Sequence, residues 1–210
     1  MKEENPTSEE KFKCLCEEKP QLDLLQNEMI MCNEREIVKL LLQYGEIDNF
    51  VHNGIRMSVA DFIIRELGSI FKFHDLINNR ILSIYKMAVY MGGEIPSPIH
   101  IKDYFRDDKL LTERIDELLI TPYKRPDWGI IGVVVGKNEE EEMKLLNTLI
   151  SSAIIRFKDS RIEHCISEYE HKIENHQVCE SDIIIYTAEI EAMQKVRQHY
   201  NKQLGIIVAQ

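Results

Sequence analysis

From residue 33 onward apolar side chains recur at intervals of three and four, and the polar residues between them carry the start and stop signals of helices. Asn33-Glu34-Arg35-Glu36 supplies an N-cap residue and a capping-box glutamate ahead of Ile37, Leu40, Leu41 and Tyr44, and Gly45 is the stop. Ser58 and Asp61 repeat that grammar before Phe62, Ile63 and Leu67, ended by Gly68. A helix from about His74 to Met91 follows, with Ile77, Ile81, Leu82, Tyr85 and Ala88 in its stripe and Gly92-Gly93 behind it. Pro98 opens a short helix through Tyr104 and Phe105. Leu110 to Ile120 forms another, which must end before Pro122.

Residues 139 to about 177 contain no Gly or Pro and keep the helical spacing through Leu146, Ile150, Ile154, Phe157, Ile166 and Ile173. A helix of that length is roughly 60 Å long and is expected to protrude. After the polar break Glu174 to Glu180, a last helix from Ser181 to Leu204 completes an antiparallel hairpin. Strand signal is confined to Ile130–Val135. The expected fold is all-α: a flexible tail or interdomain linker over 1–28, a compact helical bundle over 29–137, and the long helix and C-terminal antiparallel helical hairpin over 138–210.

Charge then narrows the partners. A net charge of −10 repels a polyphosphate backbone, so tight direct nucleic-acid binding is not expected. The five cysteines are odd in number and lack paired Cys-x-x-Cys clusters, which suits reduced thiols in a cytoplasmic protein. No apolar run approaches the roughly 20 residues that span a bilayer. The N-terminus MKEENPTSEEKFK lacks the apolar region of a signal peptide.

Trp128-Gly-Ile-Ile-Gly-Val-Val-Val-Gly-Lys-Asn138 invites a phosphate-loop reading. A Walker A loop needs four residues between its glycines and a hydroxyl after the lysine. Here Gly132 and Gly136 enclose three, and Asn138 stands in the hydroxyl's place. The expectation is instead a plug at Trp128, an extended connector from Ile130 to Val135, and a turn in which Asn138 caps the long helix ahead of Glu139–Glu142. His164, Cys165, His171, His176 and Cys179 lack the spacing that presents two ligands to one ion. Asp103, Asp107 and Asp108 sit at a helix end and form no catalytic signature. Neither a catalytic residue, a metal site nor a cofactor is expected.

The order of segments resembles the C-terminal helicase-binding domain of DnaG-type bacterial DNA primases, of the Bacteroidetes kind, over about residues 22 to 208. The resemblance is carried by Glu34-Arg35-Glu36-Ile37-Val38-Lys39-Leu40-Leu41-Leu42 with Tyr44-Gly45, and by Ser58-Val59-Ala60-Asp61-Phe62-Ile63-Ile64 with Glu66-Leu67. Phe73-His74, Leu119-Ile120, Tyr123, Trp128, Phe157-Lys158 and Leu204-Gly205 follow in order. Lys124-Arg125-Pro126 departs where relatives tend to have Leu-Ser, and Ile206 where a basic residue is common.

The resemblance implies a bundle and hairpin similar in fold to the N-terminal domain of the replicative DnaB-type helicase, which is also the implied partner. It further implies a chain that does not synthesise primers by itself, because these 210 residues hold neither the zinc-binding module nor the Toprim-type core of such primases. The remainder of a primase would be a second partner if the chain is a fragment.

The hairpin stripe Tyr186, Ile190, Met193, Val196 and Tyr200 supplies the candidate partner-binding residues, since docking between helices uses anchors at this spacing. The same stripe also suits the hairpin's own core. Two alternatives stand beside this reading. One is a helicase N-terminal-domain-like or plasmid replication interaction protein, and the other is a nucleotide-binding enzyme built on Gly136-Lys137.

Overall fold

The computed structural model describes residues 19–68, 72–120, 139–175 and 179–205 of the chain. Their fold is all-α apart from one small β-hairpin. Helix α1 (Lys19–Tyr44) is followed by strands β1 (Phe50–His52) and β2 (Ile55–Met57), then α2 (Val59–Leu67), α3 (Leu76–Met91), α4 (Pro98–Tyr104), α5 (Lys109–Leu119), α6 (Glu139–Glu174) and α7 (Glu180–Gln203).

The cap expected at Ser58 forms, and side chains at Ser97, Asp75 and Asp108 cap three further helices. Ser58 accepts from the Asp61 N–H at the start of α2, and Ser97 from the His100 N–H ahead of Pro98. Asp75 opens α3 by accepting from both Ile77 and Asn78, and Gly92 closes it in the left-handed region. Asp108 caps α5 through the Leu111 N–H. Each such cap contributes about 1 kcal/mol.

Asn33 is not an N-cap, because α1 already begins at Lys19 and runs through it, and residues 19–28 are therefore helix rather than tail. Tertiary contacts take up the groups that looked like start signals. The Asn33 amide donates to Ser160 Oγ at 3.1 Å, and Glu36 pairs with Arg156 at 2.7 Å. Both partners lie on α6, more than a hundred residues away.

A second difference is the antiparallel hairpin β1–β2, in which Phe50 faces Met57 and His52 faces Ile55. Asn53 and Gly54 both have positive φ, at 50° and 79°, as a two-residue turn matched to strand twist requires. The dipeptide Asn-Gly was its only signal, since the strands are three residues each. Phe50 from this hairpin is fully buried, 5.1 Å from the Phe62 ring.

The core gathers Ile37, Val38 and Leu41 of α1, Ile63 and Ile64 of α2, Ile81, Leu82 and Tyr85 of α3, Ile101 of α4, and Leu111 and Ile115 of α5. It also takes in Ile150, Ala153, Ile154 and Phe157 of α6. The bundle thus extends past residue 137, because the first half of α6 closes the groove over α1 and α2. The remainder of α6 pairs with α7 as an arm. Trp128, the Ile130–Val135 connector and the Gly136-Lys137-Asn138 turn lie outside the described residues.

Candidate functional site

The arm is built from an apolar seam on α6 facing one on α7. Tyr169 and Tyr186 stack with ring centroids 4.7 Å apart and planes 9° from parallel. Ile166 and Ile190 are both buried. Nearer the bundle, Arg197 makes a two-pronged bond to Asp159, at 2.9 and 3.2 Å, and reaches Glu163 at 3.3 Å. The bond it donates to Asp159, followed by the charges of Asp159 and Glu163, holds the guanidinium pKa above its ordinary value against the opposing effect of burial. Asp159 and Glu163 lie on α6 and Arg197 on α7, so this group ties the two helices together.

These contacts place the five candidate residues. Tyr186 and Ile190 face α6, while Met193 and Tyr200 are half-covered on the same side of α7. Val196 is the exception, 41% exposed. The side chains that the structure leaves to solvent are others: Ile184 at 72% and Ile185 at 53%, with Ala188 and Ala192 exposed between them and Val196. Positions 185, 188, 192 and 196 follow one another at helical spacing, so they form a second stripe on the outer face. The signal for it was the adjacent pair Ile184-Ile185, which no single apolar stripe accommodates.

Where the arm leaves the bundle, a polar cluster joins α1, the turn before α3, and α6. Glu34 is fully buried and accepts the backbone N–H groups of His74, at 2.7 Å, and Asp75, at 3.1 Å. His74 Nδ1 lies 3.2 Å from the same carboxylate, and Arg161 NH1 of α6 stands 2.6 Å from that nitrogen. His164, one turn further along α6, meets His74 edge-on at 6.1 Å and keeps Nδ1 buried without a partner among the described residues. Burial raises the pKa of Asp75, but the Asn78 N–H and the Arg114 charge outweigh it and hold the carboxyl below its ordinary value.

A second exposed apolar surface lies on the bundle. A groove of about 510 Å³ runs between α3 and α4, lined by Met87, Met91, Pro96, His100, Tyr104 and Phe105 among others. Met91 and Tyr104 are mostly exposed there. Among the described residues, no group of three or more His, Cys, Asp or Glu is placed to hold a metal ion. Likewise, no described helix is long and apolar enough to cross a membrane. His176 of the hairpin turn lies outside the described residues.

Fold and surface together define an all-α domain with a two-helix arm. The chain belongs to the family DUF8430, a domain of unknown function, whose model matches residues 23–208. No curated protein and no solved structure matches it.

Proposed function

We propose that this domain is a non-catalytic docking module, the helicase-binding domain of a DnaG-type primase, which recruits primase to the replicative DnaB-type helicase at the replication fork in the cytoplasm. The observation that carries the reading is the arm: a helix, α7, paired on one face with α6 and presenting Ile184, Ile185 and Val196 to solvent on another. Helical partners recognise apolar groups at this spacing. A further support is the ordered run of helix-core segments from Glu34 to Gly205 that resembles such primases. The outward apolar groups are few, which suits a transient contact rather than an obligate interface.

Calorimetry of the purified chain with the cognate helicase tests this reading. Association with a Kd of about tens of micromolar or tighter is expected, as a small transient interface gives. The absence of binding at those concentrations would remove the helicase from the reading.

A further inference from the structure

The distal part of the arm is acidic. Between residues 163 and 191 there are eight Asp or Glu residues against the single Lys172, a formal −7, and Lys195, Arg197 and Lys202 toward the base of α7 bring residues 163–203 to −4. Some of these acids are engaged locally. Glu163 meets Arg197, Glu168 lies 3.5 Å from His164, and Glu189 bonds the Tyr169 hydroxyl, which raises that phenol's pKa. Glu170 and Glu191 are exposed. The outer stripe starts in this negative field at Ile184, Ile185 and Ala188 and continues through Ala192 to Val196, which Lys195 and Arg197 flank in sequence.

We infer that the outer face of α7 docks against a basic helical surface of the partner, with Ile184, Ile185 and Val196 as its apolar anchors and the arm's carboxylates as the steering charge. This rests on the docking reading and adds the chemistry of the partner's side. Complementarity is the argument. An apolar stripe alone accepts any greasy surface, whereas one whose distal end lies in an acidic segment disfavours acidic partners and accelerates encounter with cationic ones. Helical form follows from the regular spacing of 185, 188, 192 and 196, which offers ridges for another helix.

The two components separate kinetically. Long-range attraction acts on the association rate and is screened by salt, while buried apolar contact acts on dissociation. The test measures binding of the full chain to the intact cognate helicase by calorimetry and surface kinetics, at about 50 mM and about 300 mM salt, concentrations that bracket the physiological screening length. Three chains are compared: the unsubstituted protein, Ile184→Ser with Ile185→Ser, and Glu170→Lys with Glu191→Lys. All four positions are exposed, so circular dichroism and Tm should match the parent.

The unsubstituted chain should bind about tenfold more weakly at the higher salt, through a slower association. The charge reversals should reduce association and flatten that salt dependence. The serine pair should raise dissociation about tenfold or more, with a nearly unchanged salt slope. Binding that is indifferent to salt, to the charge reversals or to the serine pair overturns the inference and leaves the helicase reading standing. If the unsubstituted chain fails to bind at low salt, the helicase reading falls and takes this inference with it.

Discussion

The Glu34 carboxylate, fully buried on α1, accepts the backbone N–H of His74 at 2.7 Å across 40 residues of sequence. A charged group in that position must satisfy its oxygens or be expelled. Here it does so by holding the turn that launches α3, and His74 of that turn touches Arg161 of α6. One side chain therefore organises the junction between bundle and arm.

Replacing Glu34 with Ala leaves the N–H groups of His74 and Asp75 without their acceptor in a closed site. A loss of about 3 kcal/mol is expected from two stranded donors, read as a lower midpoint in chemical denaturation. A variant as stable as the parent would show that the junction does not depend on this carboxylate.

Asp75 gives a pH signature. Its folded pKa lies below the ordinary value of 3.8, so its contribution to stability is complete above that value and is lost as pH falls through the lower, folded one. Asp75→Asn keeps a capping side chain but loses the charge that meets Arg114 at 3.1 Å, so it should be less stable than the parent at pH 7 by about 1 kcal/mol. The gap should narrow as the pH falls through the carboxyl's lowered folded pKa, where the parent is protonated as well. A gap that stays constant with pH would assign the loss to geometry alone.

Gly45 is required for space rather than for an unusual φ. A Cβ built there comes within 2.4 Å of the Leu41 carbonyl oxygen and 3.1 Å of Tyr85 Cε1. Tyr85 is a fully buried core residue whose hydroxyl has no partner among the described residues and whose pKa burial pushes up. Gly45→Ala should cost about 1–3 kcal/mol, as overpacking does, visible in thermal melts.

Removing α7 by ending the chain at Asn175 should leave the bundle folded, because no α7 side chain belongs to the core cluster. Circular dichroism should retain a cooperative melt, while the helicase binding proposed above should be lost. If the bundle unfolds as well, the arm is part of its foundation.

Arg197→Ala tests the arm's attachment. Both partners of Arg197 are partly solvated, so the expected cost is about 1–2 kcal/mol rather than that of a buried pair. Hydrogen exchange should locate that loss in α7, with the amides of α2 and α3 unchanged.

Much of the local structure was legible in the chain. Ser58, Asp61, Gly68, Gly92, Ser97 and Pro98 act over three or four residues, and helix ends are set at that range. The five arm residues show where legibility stops. Their spacing identified an apolar face of α7, yet Tyr186 and Ile190 turn it toward α6 and leave Ile184 and Ile185 outside. Periodicity tells which residues share a face but not which neighbour covers it.

The sequence by itself determined the all-α class, the Ser58 cap with the Gly68 and Gly92 stops, and the pairing of two long helices, because each follows from short-range spacing and backbone chemistry. Only the tertiary structure decided that α1 runs on through Asn33, that the first half of α6 is core, and that Glu34 meets His74. Those outcomes depend on groups 40 to 127 residues apart, brought together by burial of a common core, and no local pattern encodes such a meeting.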